Sequence, residues 1–429
     1  MNRSHETRVR PKAILVGLLR SPEAMEQVSR DLDELRQLVE DAGGDVVDIL
    51  VQHRSEPHPA YYIGKGKAHE IAARAEALQA ELVVFDDSLK PNQVRNLERI
   101  IPMKIIDRVQ LILDIFARRA RTREGQLQVE LAQLKYLLPR LTGKGAELSR
   151  LGGGIGTRGP GETLLEVKQR AIRRRIRTIQ KELRAIAVQH REQRALRRER
   201  QTPVFALVGY TNAGKSSLFN RLTGADAVAR FQLFTTLDPL VRRIQLGDMG
   251  EVLISDTVGF IRKLPPRIVA AFRATLEEVY DAFALIHVID ITSPRIEPEI
   301  QTVESILGEI GVGERPIIRV FNKVDLIEQG DTINHWRLIY PEAVFTSART
   351  GEGIDLLLKA MAEWLRSRRR VHNLRVPYHA MHILERVYSH GHVRYREDRA
   401  DGIYMVVEVP PWLEHHLKAY IAETDPVSE

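Results

Sequence analysis

The chain has 429 residues, of which 43% are hydrophobic and 28% are charged. This length exceeds what one compact core holds, so we expect two to four domains. The absence of cysteine excludes disulfides, thiolate metal sites and cysteine nucleophiles. The formal net charge of +7 favours an acidic partner such as nucleic acid. No run of about 18 apolar residues is present, so we expect no membrane span. The lack of cysteine fits the cytoplasm, and we expect a monomer.

Within the predicted N-terminal domain, residues 1–106, short apolar segments alternate with longer amphipathic ones from residue 13 onward. The apolar segments are Ala13–Leu19, Val46–Val51, Leu82–Phe85 and Lys104–Ile106, and the amphipathic ones cover 22–41, 67–80 and 91–100. Strand-like and helix-like segments in alternation are typical of parallel sheets with crossover helices. The region is therefore predicted to be a small parallel α/β domain.

Residues 107–200 show helical spacing. Four leucines recur three or four positions apart, at Leu127, Leu131, Leu134 and Leu138, and Pro139 should end their helix at or near Leu138. The same rhythm returns between 163 and 199 in Leu165, Ile172, Ile176, Ile179, Leu183 and Ile186. Two such helices predict a long antiparallel hairpin, joined through the glycine-rich stretch 151–161.

The second helix of this hairpin is strongly basic. Between Lys168 and Arg200 there are 13 lysines or arginines and 3 acidic residues, a balance of +10. A run of one sign favours phosphate contact, whereas alternating signs favour an ordinary solvated face. A soluble helix with surplus arginine is the alternative. The RNA-binding candidates are Arg121, Arg123, Arg158, Arg173, Arg174, Arg175 and Arg177.

The segment 201–370 carries a phosphate-binding motif. An apolar run at 205–208 leads into Gly209-Tyr210-Thr211-Asn212-Ala213-Gly214-Lys215-Ser216, and Ser217 opens the helical stretch that follows. Strand, glycine-rich loop and helix in this order form a P-loop, whose backbone N–H groups surround phosphates. Lys215 should contact the β- and γ-phosphates, and the Ser216 hydroxyl should bind Mg²⁺.

Two further motifs should complete the phosphate and magnesium site. Asp256-Thr257-Val258-Gly259 follows a strand-like run, so that Asp256 can hold Mg²⁺ through water and the Gly259 N–H can meet the γ-phosphate. Between the two motifs lie Thr235 and Thr236, of which Thr236 is the predicted magnesium ligand. The predicted catalytic residues are Lys215, Thr236 and Gly259.

The choice of base is predicted to depend on Asn322-Lys323-Val324-Asp325. The Asp325 carboxylate can accept two hydrogen bonds from guanine, and adenine has no matching donors. The Lys323 stem can lie along the base. Ser347-Ala348-Arg349 follows another strand-like run, and its backbone N–H groups can meet guanine O6. GTP is therefore the predicted substrate.

The position after Gly259 bears on catalysis. Many GTPases have a glutamine there to orient the attacking water, and this chain has Phe260. Hydrolysis should therefore be slow in the isolated protein. Asn212 is a second residue that could assist hydrolysis. Potassium-dependent relatives of the TrmE–Era class use an asparagine at this loop position to bind a monovalent cation. A plain hydrogen-bonded loop asparagine is the alternative, and K⁺ is a candidate cofactor beside Mg²⁺.

Taken together, the chain resembles an HflX-type GTPase of the Obg–HflX superfamily over nearly its whole length. Besides the GTPase motifs, the resemblance is based on Tyr61–Lys67, Ala120–Gly125, Leu127–Arg140 and Leu151–Thr163. The chain departs from the family pattern at Leu164, Ser217 and Thr235, where glutamine, threonine and alanine are usual.

The resemblance implies a factor that binds the large ribosomal subunit and its rRNA. In the GTP-bound state such proteins help to split or rescue stalled ribosomes, and hydrolysis then permits release. The alternative is an RNA-binding or ribosome-assembly module that GTP merely stabilises. A TrmE-like tRNA-modification GTPase is disfavoured because the chain has no cysteine and no folate-type domain signal.

The last region, 371–429, is predicted to be a small α+β domain, with helix, strand, strand and helix over 374–422. Its histidines do not have the spacing of a closed zinc site, so surface or partner contacts are the preferred interpretation. They are His379, His382, His390, His392, His415 and His416. In the N-terminal region, Gly64-Lys65-Gly66-Lys67 fits either a phosphate contact or a plain turn before a helix.

Overall fold

The computed structural model describes residues 10–141, 164–200, 202–224, 240–263, 279–280, 282–328, 330–367 and 369–422. These residues form two compact units. The first contains residues 10–188 and 261–263, and the second contains the other described residues. Within these ranges, no helix is both long and apolar enough to cross a membrane.

The first unit contains a four-stranded parallel sheet in the order β2-β1-β3-β4. The strands are β1 (Lys12–Leu19), β2 (Asp45–His53), β3 (Leu82–Phe85) and β4 (Lys104–Asp107). The crossover helices are α1 (Met25–Asp41), α2 (Lys65–Ala77) and α3 (Pro91–Glu98). In α1, Leu32, Leu35, Leu38 and Val39 are buried, the spacing that a helix needs to cover one sheet face. The predicted parallel α/β domain is confirmed.

Three helices follow the sheet, namely α4 (Arg108–Arg119), α5 (Arg123–Leu141) and α6 (Leu164–Arg200). Leu127, Leu131 and Ile179 are buried where α5 meets α6. Two ion pairs join these helices, Arg123 with Glu182 and Arg175 with Glu130. Because the residue numbers rise along one helix as they fall along the other, the helices are antiparallel, as predicted.

The predicted end of α5 is wrong. The helix does not stop near Leu138 but runs through Pro139 to Leu141. A proline near a helix end removes only one backbone hydrogen bond. The side chain of Arg140 also holds the last turn, since it donates to Tyr136 O at 3.0 Å, Leu89 O at 2.8 Å and Asp107 Oδ2 at 3.1 Å.

The second unit contains a six-stranded sheet in the order β10-β9-β8-β5-β7-β6, parallel except for β6 against β7. The strands are β5 (Val204–Gly209), β6 (Leu240–Gln245), β7 (Glu251–Asp256), β8 (Ala284–Asp290), β9 (Ile317–Asn322) and β10 (Val344–Thr346). The helices are α7 (Lys215–Thr223), α8 (Ile296–Glu309), α9 (Gly330–Ile339) and α10 (Ile354–Ser367). The carboxyl ends of the five parallel strands meet at one edge, where open α/β sheets bind ligands.

The chain ends in a three-stranded antiparallel sheet in the order β11-β13-β12. Its elements are β11 (Arg370–Val376), α11 (His382–His390), β12 (His392–Arg399), β13 (Gly402–Val409) and α12 (Pro411–Leu417). The α+β class is as predicted, but the predicted element order over 374–422 missed β11. Only Leu374 and Val376 of that strand are buried, and the residues that pack on them are distant in sequence. The apolar pattern that would predict a strand there is therefore weak. Among the described residues, no cluster of three or more His, Asp or Glu side chains could hold a metal ion.

Candidate nucleotide site

The loop between β5 and α7 has a backbone that glycine alone tolerates at two points. Gly209 has φ 151° and Gly214 has φ 94°. A Cβ atom on Gly209 would lie 2.2 Å from Val288 O, and one on Gly214 would lie 2.2 Å from Asn322 Nδ2. Asn212 also has a positive φ of 63°, which asparagine adopts more readily than most residues. The local sequence therefore forms the tight loop that phosphate binding needs.

Lys215, the first residue of α7, is buried beneath this loop. Its Nζ donates to Tyr210 O at 2.7 Å and to Gly209 O at 3.1 Å. Burial lowers the pKa of Lys215 to about 8, with the Asp256 carboxylate opposing the shift and Lys323 adding to it. The ammonium is thus desolvated and held against the backbone of the loop, where it would strengthen the attraction of the loop to a phosphate.

The predicted magnesium ligands on β7 and α7 lie together. The Ser216 hydroxyl donates to Asp256 Oδ2 at 2.7 Å, and Asp256 is fully buried. A hydroxyl and a carboxylate are hard oxygen donors of the type that Mg²⁺ prefers. The residues present therefore fit a magnesium ion. The partner ligand Thr236, with its neighbour Thr235, lies outside the described residues and stays a sequence-based prediction.

The segment after Asp256 packs directly against the P-loop. A Cβ atom on Gly259 would lie 2.9 Å from Lys215 Nζ and 2.9 Å from Thr211 Cγ2, so any larger residue would displace the Lys215 or Thr211 side chain. Phe260 is buried, and its backbone bonds to Gly209 O at 3.1 Å and Thr211 N at 2.8 Å. Its ring offers no hydrogen bond to water.

Not every residue of these motifs faces the site with its side chain. The Thr257 hydroxyl donates to Leu207 O at 2.6 Å inside the core. Val258 is buried, and Val324 packs in a hydrophobic cluster with Phe321 and Trp336. Any contact that these three residues make with the nucleotide has to come from their backbones.

The predicted base-recognition residues meet at the ends of β9 and β10. Asn322 donates to Ala213 O at 2.9 Å and accepts from the Ala348 N–H at 3.0 Å. The Asp325 carboxylate accepts from the Ser347 hydroxyl at 2.6 Å and lies 3.4 Å from Arg349 Nε. These bonds fix the carboxylate that is predicted to discriminate guanine from adenine.

Sequence reasoning missed Asp290, the last residue of β8. Its Oδ2 lies 2.5 Å from Lys323 Nζ. The available signal was an acidic residue at the end of an apolar strand, a position that Asp256 shares. Asp290 belongs to no motif with fixed spacing, which explains why it was overlooked.

Family models match the chain in four consecutive segments. They are described as GTP-binding GTPase N-terminal over 29–117, GTP-binding GTPase middle region over 119–197, 50S ribosome-binding GTPase over 204–323 and HflX C-terminal domain over 339–411. A GTPase HflX from Caldanaerobacter subterraneus subsp. tengcongensis is 46% identical over 414 residues, covering 96% of this chain and 94% of that protein. The chain belongs to the HflX family of GTPases.

Two further proteins illustrate the similarity of this HflX-family chain to known ones. GTPase HflX of Escherichia coli strain K12 is 47% identical over 360 residues, or 84% of each protein. A GTP-binding protein from the hyperthermophilic archaeon Sulfolobus solfataricus, solved in complex with GDP, is 30% identical with a TM-score of 0.42 and covers 82% of this chain and 98% of that one. As a member of the family, the chain binds and hydrolyses GTP and carries a ribosome-binding GTPase domain.

The RNA-binding candidates of this HflX-family chain fall into three groups. Arg123 and Arg175 are in ion pairs that join α5 to α6, and Arg175 donates to both oxygens of Glu130 at 2.6 and 2.7 Å. Arg121, Arg173, Arg174 and Arg177 are exposed. Arg158 lies outside the described residues. Arg173 and Arg177 also line a shallow surface cavity together with Arg170, Glu166 and Gln169.

Proposed function

We propose that this chain is a GTP-dependent factor of the large ribosomal subunit that splits or rescues stalled ribosomes. GTP binding favours attachment to the subunit, and hydrolysis permits release. The main support is that one chain combines a guanine-nucleotide site with a helix carrying a balance of +10 between Lys168 and Arg200. Such a helix can contact rRNA phosphates, and the nucleotide site supplies the switch.

The arginines of α6 indicate which face would contact RNA. Arg170, Arg173 and Arg177 are three and four residues apart, so they lie on one side of the helix, and all three are exposed. Arg175 points to Glu130 instead. We therefore assign phosphate contact to Arg173 and Arg177, with Arg170 beside them, and a structural role to Arg175.

The residues of the site support the expectation of slow turnover in the isolated protein. Phe260 offers no group to orient water, and its backbone is bonded to the P-loop. Mg²⁺ held by Ser216 and, through water, by Asp256 would neutralise phosphate charge. We infer that the ribosome supplies what is missing, and that K⁺ near Asn212 is a second candidate source of positive charge.

The decisive experiment is sedimentation of ribosomes with the protein in the presence of GTP, a non-hydrolysable GTP analogue or GDP. We expect subunit separation with both triphosphates and little with GDP. Large subunits should also raise the GTPase rate. Separation that is equal in all three states, or a GTPase rate that large subunits leave unchanged, would refute the switch.

Two sets of variants localise the effect. Lys215→Ala should abolish splitting, whereas Lys359→Ala, at an exposed position of α10, should leave it unchanged. The double variant Arg173→Gln/Arg177→Gln should weaken binding to the large subunit. The slope of log affinity against log salt concentration should become shallower, as expected for the loss of about two phosphate contacts. Arg175→Gln should loosen the hairpin, measured as faster hydrogen exchange in α5 and α6.

The second candidate is an RNA-binding or assembly module that GTP stabilises. The basic helix supports it as well, because phosphate contact needs no hydrolysis. If Lys215→Ala kept the biological effect while losing nucleotide turnover, this module would be the better description.

A further inference from the structure

We infer that Asp290 is a positioning residue for GTP recognition, because it holds the specificity lysine Lys323 against the base. The two residues lie at the ends of the neighbouring strands β8 and β9, where Asp290 is paired in register with Asn322. Asp290 Oδ2 is 2.5 Å from Lys323 Nζ, and both side chains are more than four-fifths buried. A charge-assisted contact of this length, largely shielded from solvent, is of the strong kind.

The geometry fixes both ends of the lysine side chain. At its base, the Lys323 backbone has φ 69°, a conformation that residues other than glycine rarely adopt. At its tip, the ammonium is bound by Asp290. With both ends fixed, the four-carbon stem between them has little rotamer freedom left to lose when a base packs on it.

The two oxygens of Asp290 have separate tasks. Oδ1 accepts from the Thr292 N–H at 2.9 Å and from the Thr292 hydroxyl at 2.6 Å, which holds the turn after β8. Oδ2 faces Lys323. Asparagine can therefore keep the contacts of Oδ1 while replacing the charged Oδ2 with an amide that does not attract an ammonium.

The partners of the neighbouring motif residues are different. Asn322 is bonded to Ala213 and Ala348, and Asp325 to Ser347. Asp290 therefore acts on the stem that covers the base and not on the carboxylate that reads the exocyclic amine. This separation makes its effect distinguishable from that of Asp325.

The test measures the Kd of GTP and of ITP, which lacks the exocyclic amine, on the full-length chain. Asp290→Asn should raise both Kd values about tenfold and by the same factor, while the single-turnover hydrolysis rate at saturating GTP stays unchanged. Asp290→Glu should restore part of the affinity, since it returns the charge. The double variant Asp290→Asn/Lys323→Ala should have the same Kd values as Lys323→Ala alone, because Asp290 acts through this lysine.

Thr292→Val is the matched control, because it removes the hydroxyl contact to Oδ1 and leaves Oδ2 facing Lys323. It should leave both Kd values unchanged. Three outcomes would each overturn the inference. They are an unchanged affinity in a folded Asp290→Asn variant, additive effects of Asp290→Asn and Lys323→Ala, and an altered ratio of GTP to ITP affinity. Since the readout is nucleotide affinity in the absence of ribosomes, its failure leaves the proposed ribosomal function untouched.

Discussion

The side-chain amide of Asn322 donates a 2.9 Å hydrogen bond to the backbone oxygen of Ala213. This bond joins the base-recognition segment after β9 to the phosphate-binding loop after β5. The same amide nitrogen would lie only 2.2 Å from a Cβ atom on Gly214. We therefore expect a change at this buried contact to affect binding of the base and binding of the phosphates together.

Asn322→Ala should weaken GDP and GTP binding together. The change leaves Ala213 O and the Ala348 N–H without their buried partner, and we expect this to weaken nucleotide binding by about 1–3 kcal/mol in total. We expect the Kd of both nucleotides to rise between about tenfold and a hundredfold, measured by calorimetry. Asn334→Ala, at an exposed position of α9, is the control. A selective loss of GTP binding with GDP binding intact would contradict this role.

Asp325→Asn should shift base preference from guanine towards xanthine. The Ser347 hydroxyl can still donate to the amide oxygen, as it does to Asp325 Oδ1 at 2.6 Å, and the amide nitrogen can donate to the additional oxygen of xanthine. GDP affinity should fall at least about a hundredfold, because a guanine donor then faces another donor. Competition between GDP and XDP measures the change. Asp331→Asn, exposed on α9, should retain the original preference.

Nucleotide affinity should weaken as pH rises above about 8. Burial, opposed by Asp256, lowers the pKa of Lys215 to about 8 in the free protein, so the lysine is charged below that pH and increasingly neutral above it. Bound phosphates stabilise the charged form of Lys215. Binding above about pH 8 therefore requires the lysine to take up a proton, and the affinity falls with each further pH unit. GDP titrations between pH 6.5 and 9 at about constant ionic strength should show this. In Lys215→Arg the side chain stays charged, so its GDP affinity should not fall above about pH 8. If the affinity of this variant fell with pH as steeply as that of the parent, Lys215 would not be the group responsible.

Lys263 stabilises a cluster of three carboxylates in the first unit, two of which are buried. Its Nζ lies 3.0 Å from Asp31 and 3.2 Å from Asp87, and it also pairs with Asp86. Burial acts to lower the pKa of Lys263, but these three carboxylates outweigh it and raise the pKa. Lys263→Met should therefore destabilise the first unit at neutral pH by about 1–3 kcal/mol, seen as a lower transition in calorimetry.

The pH dependence of this variant provides a second readout. Burial raises the pKa of Asp86, although Arg108 and Lys263 oppose the shift, so without Lys263 the carboxyl should take up a proton more readily. A group with a raised folded-state pKa adds stability as the pH falls, and the penalty should shrink from pH 7 towards pH 5. Lys65→Met, exposed at the start of α2, should show no penalty. A penalty independent of pH would mean that packing, and not charge, sets it.

Much of the architecture could be predicted because its signals are local. β3 was predicted at its observed bounds, and Leu127, Leu131 and Ile179 pack as their spacing indicated. The predictions failed where distant neighbours decide. Pro139 stays helical because Arg140 is bonded to Leu89 and Asp107. β11 forms because it pairs with β13 and because its Leu374 and Val376 pack in the core of the C-terminal domain.

The nucleotide motifs, their order and the preference for GTP were apparent from the sequence alone, because a P-loop and a base-recognition tetrapeptide need fixed residue types at fixed spacing. The tertiary structure decided which side chains those motifs bring together: Asn322 with Ala213, Ser216 with Asp256, and Lys323 with Asp290. The members of each pair are separated by at least 33 positions along the chain. Only the parallel pairing of the strands, which places their carboxyl ends at one edge of the sheet, brings them within hydrogen-bonding distance.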